Sequence, residues 1–391
     1  MRGDHAALRA RGVADGAGTE PGGFWGSSGS VSGHKLGNVQ ALRAVAALMV
    51  VGDHVPREEH KLFGHGLVSG VGAAGALGVD MFFVISGFIM ATTTWKTSGK
   101  PGAPRDFLLR RILRIYPLWC VVVVFTVAVN HFWPAALHVD DPSLGHIAAS
   151  FLLLPQRMMP VLGVGWSLEF EMFFYLVFAL ALFFSRDRLP LALGVWVLAT
   201  LALQWIGATT DWLLPSFAGN PLCFEFMAGV VVAGLIRAGR IWKPELFLGI
   251  GILGVVALAI YASRYDGFGT LALTWFRTAA VGPFMVAIVY GAVGLEARDG
   301  RLAPRALTAL GDASYSLYLW HGYLIGALVV VFRHFHPAGT WADLAFIVGS
   351  YAVVVAGSVV LYRLVERPLL QALQGLGRAA PEHTIIAPSP P

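Results

Sequence analysis

Two basic side chains in the first apolar segment, 42–55 (LRAVAALMVVGDHV), have the clearest potential for chemistry. Arg43 and His54 are eleven residues apart, which in an α-helix is about three turns and ~16 Å, so both lie on one face at different depths. In a membrane-spanning helix a cation and an imidazole are costly, and they indicate a functional site when partners exist on other helices. Asp53 points about 100° away from His54 around the helix. A carboxylate from another helix is therefore the expected orienting partner of His54.

Charged residues in the other apolar segments extend this pattern into two zones. Three arginines gather near one membrane face, and guanidinium groups suit the phosphates of an anionic ligand. These arginines are Arg43, Arg111 and Arg114. The middle and opposite half contain groups suited to general acid–base chemistry. These groups are His54, Asp80, Glu171, Glu225 and His321.

Several of these residues also have a structural interpretation, which the sequence leaves open. The arginines at 111 and 114, with Arg110, could anchor the protein at a positively charged membrane face. Asp80, Glu225 and Arg277 could form ion pairs inside the bundle, and His321 could be a buried imidazole bonded to a carbonyl. Glu169 and Glu171 are two residues apart. They cannot share a helix face, so we expect them to have different surroundings.

The composition of the chain indicates the class of fold that positions these residues. The 391 residues are 56% hydrophobic and 13% charged, and the mean hydropathy is +0.67, which excludes an ordinary soluble domain. The apolar residues form continuous blocks of roughly twenty, which predict an all-α, polytopic membrane protein rather than a β-barrel with its alternating pattern. The net charge of +5 needs no nucleic-acid partner, because loop arginines explain it. The sequence contains no group of closely spaced His, Asp and Glu residues that would suggest a metal site.

The blocks predict about ten transmembrane helices between two polar ends. They lie at roughly 39–56, 71–94, 107–130, 161–184, 189–207, 217–236, 246–262, 272–294, 308–332 and 342–362. We interpret 1–38 as a disordered N-terminal segment, 39–370 as one transmembrane domain and 371–391 as a disordered tail. The run 146–154 is too short to span and is predicted to be interfacial or re-entrant. Glycines at 70, 72, 75 and 78 predict that another backbone approaches the second span closely.

The connecting loops predict the orientation. Lysine and arginine are about three times more frequent in one alternating set of loops than in the other. Because positively charged loops stay in the cytoplasm, both termini are expected to be cytoplasmic. The richer set contains Lys96, Lys100, Arg105, Arg110, Arg111, Arg186, Arg188, Arg237, Arg240, Lys243, Arg298, Arg301, Arg305, Arg363, Arg367 and Arg378, and the poorer set Arg57, Lys61, Arg157, Arg264 and Arg333.

Several motifs, in order over roughly 39–370, together resemble the acyltransferase-3 family of integral-membrane O-acyltransferases. Arg43-x10-His54 matches the family's first-helix motif, and GVDMFFVISGFIM (78–90) is similar to its second-helix signature. RRILRIYP (110–117) resembles its Arg-x-x-Arg motif, and WSLEFEMFFY (166–175) fits a pattern that selects Glu171 over Glu169. LGDASYSLYLWH (310–321) and VERPL (365–369) resemble its closing motifs. The exopolysaccharide-production branch is the most similar.

The resemblance implies a multi-pass enzyme of the bacterial inner membrane. It would transfer an acyl group from cytoplasmic acyl-CoA to a hydroxyl of a cell-surface or lipid-linked polysaccharide. The expected acyl group is acetyl, with acetyl-CoA as the donor. Arg111 and Arg114 would bind the coenzyme A phosphates, and Arg43 would position the donor. His54 would act as the general base or carry the acyl group transiently. Glu171 and Asp80 would orient or tune His54.

Other functions are also compatible with the sequence. Antibiotic-tailoring macrolide acyltransferases share the core motifs, so the acceptor could be a small molecule. A secondary transporter also has many helices and buried charges, although no matching inverted halves are visible. A non-catalytic scaffold would tolerate replacement of His54 by Gln. Larger members of the family have an esterase-like domain, which does not follow residue 370. The chain is then expected to complete the transfer itself or to pass the acyl group to a partner.

Overall fold

A computed structural model describes residues 36–68, 72–133, 141, 143–264 and 275–378. The residues in these ranges are 83% helical, and no strand occurs among them. The helices are α1 Gly37–Phe63, α2 Gly78–Thr94, α3 Ala103–Phe132, α4 Leu144–Phe151, α5 Trp166–Ala181, α6 Leu189–Thr210, α7 Leu213–Ala218, α8 Leu222–Arg237, α9 Pro244–Arg264, α10 Trp275–Asp299, α11 Arg305–Asp312, α12 Ser314–Phe335, α13 Thr340–Leu361 and α14 Arg367–Arg378. The predicted all-α membrane fold is confirmed.

Each of the ten predicted spans corresponds to a long helix. Nine stretches of the described residues are helical, long and apolar enough to cross a membrane. The other long helix, α1, has 27 residues, or ~40 Å, which is also enough to cross. It is less apolar because it carries Arg43, Asp53 and His54. The predicted span starts at 71 and 272 lie outside the described residues.

The two ends of the chain and the short apolar run lie outside the ten spans. Most of the predicted disordered segment 1–38 and the tail after residue 378 lie outside the described residues. The helix α14 continues to Arg378, beyond the predicted end of the domain at residue 370. Leucines at 369, 370, 373 and 376 give this segment an amphipathic repeat, which favours a helix. The run 146–154 overlaps the eight-residue helix α4, which begins at Leu144 and ends at Phe151; this helix is too short to span, as predicted.

Glycines bring α1 against the segment that leads into α2. A Cβ at Gly75 would lie 2.2 Å from the Met49 carbonyl oxygen, and one at Gly78 would lie 2.3 Å from that of Ala46. No side chain fits at these distances, so the predicted close backbone approach is confirmed for Gly72, Gly75 and Gly78. Gly70 lies outside the described residues. This contact places the segment 72–77, which leads into α2, beside the half of α1 that carries His54.

A second pair of glycines packs α2 against α8. A Cβ at Gly87 would lie 2.0 Å from the Phe226 carbonyl oxygen, and one at Gly229 would lie 2.0 Å from that of Val84. The contact is reciprocal, as in small-residue crossings of membrane helices. It fixes α2 between α1 and α8, and α2 forms one wall of the site described below.

Candidate active site

Two adjoining cavities are bordered by α1, α2, α5 and α12. The arginine cavity is about 110 Å³ and is lined by Arg43, Val79, Phe82, Phe83, Ile85, Ser86, Ile89, Arg111, Arg114, Ile115, Ser167, Leu168, Glu171, Tyr175, Ser314, Tyr315 and Tyr318. The histidine cavity is about 1120 Å³, and its lining includes His54, Asp53, Arg57, Val79, Gln156, Glu169, Arg277 and Tyr318. The three arginines of the first predicted zone all line the arginine cavity. Of the second predicted zone only His54 lines the histidine cavity, whereas Glu171 lines the arginine cavity and Asp80, Glu225 and His321 line neither.

The three predicted arginines converge on the arginine cavity from two helices. Arg43 donates from Nη1 to the side-chain oxygen of Gln40 at 3.2 Å. Arg111 donates from Nη2 to the Thr93 hydroxyl at 3.2 Å, and its guanidinium lies over the rings of Phe107 and Tyr175 at 5.5 and 5.6 Å. Its Nε is buried without a hydrogen-bond partner among the described residues. Arg110 is exposed and does not line the cavity, as expected of a membrane-face anchor.

Glu366, to which the sequence assigned no role, holds Arg114 in place. Arg114 donates from Nη1 to one Glu366 carboxylate oxygen. The other oxygen accepts from the backbone N–H of Ser316 at 3.1 Å and from its hydroxyl at 2.5 Å. Glu366 is 1% exposed and belongs to a single π-helical turn, 362–366, between α13 and α14. The two closing motifs, VERPL and LGDASYSLYLWH, thus meet beside the arginine cavity. The VERPL motif is the feature of the sequence that could have indicated a role for Glu366.

Glu169 and Glu171 have different surroundings, as the sequence predicted. The Glu171 carboxylate accepts from the Ser86 hydroxyl at 2.7 Å and from the Tyr175 hydroxyl at 2.5 Å, and it lines the arginine cavity. Glu169 lines the histidine cavity and accepts from Gln156 Nε2 at 3.3 Å. Glu171 therefore lies with the arginines and is not in the cavity that contains His54.

A carbonyl of its own helix orients His54. Nδ1 lies 3.0 Å from the Val50 carbonyl oxygen, one turn earlier in α1. Because a carbonyl oxygen only accepts, Nδ1 carries the proton, and in the neutral ring Nε2 is the acceptor. The side chain is 35% exposed and lines the histidine cavity. Such an imidazole can take a proton from a hydroxyl that binds in this cavity.

We expected a carboxylate from another helix to orient His54, but in the structure the candidate carboxylates bond to other groups. The two Asp80 oxygens accept from Arg277, from Nε at 3.0 Å and from Nη2 at 2.6 Å. Asp80 is fully buried, so it forms the ion pair that the sequence left as an alternative. Asp53 lies 3.8 Å from His54 Nδ1, but its carboxylate accepts from Arg57 at 2.8 Å. Neither Asp80 nor Glu171 has the direct orienting contact that we expected.

His321 contacts His54, which the sequence did not predict. The two ring centroids are 4.7 Å apart, at an interplanar angle of 77°. His321 is 1% exposed, and its Nδ1 lies 2.8 Å from the Tyr318 carbonyl oxygen, which matches the carbonyl-bonded alternative. Its Nε2 is buried without a hydrogen-bond partner among the described residues. The two histidines are 267 positions apart, and no local pattern in the sequence relates them.

The site between the membrane-spanning helices has a cavity lined by three arginines and, beside it, a larger cavity lined by His54. Cationic groups next to a potential base, inside a bundle of membrane helices, are typical of an integral-membrane transferase. Over residues 36–363 the chain matches the family model described as "Acyltransferase domain", so it belongs to the acyltransferase-3 family. The resemblance of its motifs to this family is thus confirmed.

Three curated relatives illustrate the range of the family. The exopolysaccharide production protein ExoZ of Rhizobium meliloti is 34% identical over 76% of this chain and 90% of that protein. The acyltransferase MdmB of Streptomyces mycarofaciens is 28% identical over 91% and 96%. The O-acetyltransferase OatA of Staphylococcus aureus is 23% identical over 76% and 53%. No solved structure matches the chain. The protein is therefore a multi-pass membrane acyltransferase.

Proposed function

We propose that the protein transfers an acyl group from cytoplasmic acyl-coenzyme A to a hydroxyl of a cell-surface or lipid-linked polysaccharide. The proposed acyl group is acetyl, the proposed location is the bacterial inner membrane, and both termini are proposed to be cytoplasmic. Similarity to an exopolysaccharide production protein and to an O-acetyltransferase supports the acceptor class and the acyl group.

The arginine cavity is the proposed donor site. Coenzyme A carries several phosphates, and Arg43, Arg111 and Arg114 supply guanidinium groups that bind phosphate well. The loop arginines and lysines on the side of α3 where Arg111 and Arg114 lie support a cytoplasmic opening. The cavity is narrow in this structure, so the donor must widen its entrance as it binds.

The histidine cavity is the proposed acceptor site. At about 1120 Å³ it is slightly larger than the usual small-molecule pocket, so one or two sugar units fit. The observation that supports this proposal most strongly is that His54, with Nε2 as its acceptor atom, faces this large cavity while the arginines line the adjoining one. A base on the acceptor side and cations on the donor side are what acyl transfer between two bound substrates requires.

The proposed step is direct transfer. His54 Nε2 removes the proton of the acceptor hydroxyl, and the oxygen forms a bond to the thioester carbonyl carbon. The carbon–sulfur bond breaks, and the coenzyme A thiolate takes the proton from the imidazolium. The Val50 carbonyl holds Nδ1–H throughout, so the ring keeps the tautomer that the step needs. Trapping of an acyl group on His54 would replace this route with a two-step transfer.

The test is the ester content of the host's surface polysaccharide. A deletion strain is complemented with wild type, His54→Gln or His334→Ala, and O-acyl groups are measured by NMR after membrane abundance has been matched. His54→Gln keeps a polar side chain but cannot act as the base, so we expect loss of the esters. His334 is exposed and lies outside both cavities. Its replacement is the matched control and should restore them.

Two outcomes would contradict the proposal. Restoration of the esters by His54→Gln would exclude His54 as the base and favour a scaffold role. A deletion strain with an unchanged ester content would exclude a polysaccharide acceptor. It would direct attention to small-molecule acceptors or to transport.

A further inference from the structure

Val79 of α2 and Tyr318 of α12 are the two side chains that line both cavities, as far as the described residues show. Each is 6% exposed. They therefore form the boundary between the arginines on one side and His54 on the other. Both lie within motifs noted in the sequence, 78–90 and 310–321, but neither has an assigned role there, because a valine and a tyrosine in apolar helices are ordinary core residues.

Both boundary residues are held rigidly by their neighbours. Val79 lies between Gly78, where a Cβ would be 2.3 Å from the Ala46 carbonyl, and Asp80, which is bonded twice to Arg277. The Tyr318 hydroxyl lies 2.6 Å from the Ser167 hydroxyl and donates to the Val164 carbonyl at 3.0 Å. A boundary fixed on both sides resists widening by a substrate.

The proposed reaction fixes where the acyl group must lie. The phosphates bind in the arginine cavity, and the attacking oxygen lies at His54 in the histidine cavity. The thioester carbonyl must therefore lie where the two cavities meet. The acyl carbons beyond that carbonyl are then in contact with Val79 and Tyr318, and with Phe82, whose ring packs edge-on against Tyr318 at a centroid distance of 5.8 Å.

Building on the proposed donor, we infer that Val79 and Tyr318 form a constriction that determines which acyl chain is transferred. A two-carbon acetyl group fits the constriction, and each further methylene must displace one of these side chains. One methylene in a tight apolar pocket is discriminated by about 10- to 200-fold. The wild-type protein should accordingly prefer acetyl over propionyl by about 10-fold or more, and over butyryl by a larger factor.

The experiment uses inverted membrane vesicles from the deletion host, which expose the cytoplasmic face and retain the host's own glycans. Radiolabelled acetyl-, propionyl- and butyryl-coenzyme A are supplied to the full-length protein, and base-labile label in the glycan fraction is counted. Val79→Ala should raise the propionyl-to-acetyl ratio by about 10-fold. Val79→Leu should lower it, and this variant also tests the inference if Val79→Ala does not accumulate in the membrane.

A control variant and a second boundary variant separate the constriction from general effects. Ile89→Ala also enlarges the arginine cavity, but Ile89 does not line the histidine cavity, so the ratio should stay at the wild-type value. Tyr318→Phe removes the hydroxyl that holds the ring to Ser167 and Val164, so the constriction should widen more easily and the ratio should rise. An unchanged ratio in both Val79 variants, with active wild type, would overturn this inference alone. Failure of wild type to use any of the three donors would overturn the proposed function and the inference together.

Discussion

Replacement of Glu366 by glutamine removes a charge without changing the size of the side chain. The wild-type carboxylate accepts three hydrogen bonds, one from Arg114 and two from Ser316, and it is 1% exposed. A glutamine side chain has one acceptor oxygen, so its amide group must face either the guanidinium or the Ser316 N–H. In either orientation a donor faces a donor, and Arg114 loses its counter-charge.

The size of the effect follows from burial. Breaking a buried charge pair costs about 3–5 kcal/mol, and since Arg114 is 30% exposed and water can partly hydrate it, we expect about 2–3 kcal/mol. If about 1.4 kcal/mol of this appears as misplacement of Arg114 at the donor site, the KM for acyl-coenzyme A rises about 10-fold. The kcat should change less, because His54 is held separately by Val50.

The assay compares Glu366→Gln with Glu245→Gln. Glu245 pairs with Arg298, but this pair is exposed, with side-chain exposures of 48% and 37%, so its loss should have little effect. Both variants are measured for thermal stability in detergent and for the KM of acetyl-coenzyme A in inverted vesicles. Equal stability and equal KM in the two variants would refute the reasoning. A fall in kcat with an unchanged KM would show that Glu366 acts on the transfer step and not on the donor.

Two further predictions concern the packing that holds the site. Gly229→Ala places a Cβ against the Val84 carbonyl and should destabilise the protein by about 1–3 kcal/mol. Gly194→Ala should not destabilise the protein, because a Cβ there meets nothing within 4 Å. The two variants are compared by their melting temperatures in detergent. Asp80→Asn removes the charge of the carboxylate that accepts two hydrogen bonds from the Arg277 guanidinium, which has 10% side-chain exposure, and should cost about 3–5 kcal/mol. Asp80→Leu combined with Arg277→Met should recover stability; a double variant as unstable as Asp80→Asn would show that the charges themselves are required.

The sequence predicted the features that depend on composition and helical periodicity. The ten spans follow from blocks of apolar residues, and each block forms a helix. The convergence of Arg43 with Arg111 and Arg114 follows from their depths on two helices. The separation of Glu169 from Glu171 follows from the angle between neighbouring residues on a helix. Each of these inferences rests on the position of a residue along and around its own helix and on the thickness of the membrane.

The remaining features depend on which helix faces which, and this cannot be deduced from one chain. Asp80 and Arg277 are 197 positions apart and His54 and His321 are 267 apart, so nothing local predicts these pairs. The orienting partner of His54 is a backbone carbonyl, which every residue possesses and no pattern identifies. The boundary residues Val79 and Tyr318 have no charge that marks them, and their role depends only on where two cavities meet.

One face of α12 runs along both cavities and reaches His54. Tyr315 lies under the Arg114 guanidinium at 5.4 Å, Tyr318 lines both cavities, and His321 contacts His54. Successive members of this series are three residues apart, so covalent helix geometry spaces them by ~4.5 Å each. Insertion or deletion of one residue between Tyr315 and His321 would rotate everything beyond it by about 100° and shift it by ~1.5 Å. The number of residues in this short stretch therefore matters more than their identity, because it sets the spacing of the three side chains between the proposed donor site and the proposed acceptor site.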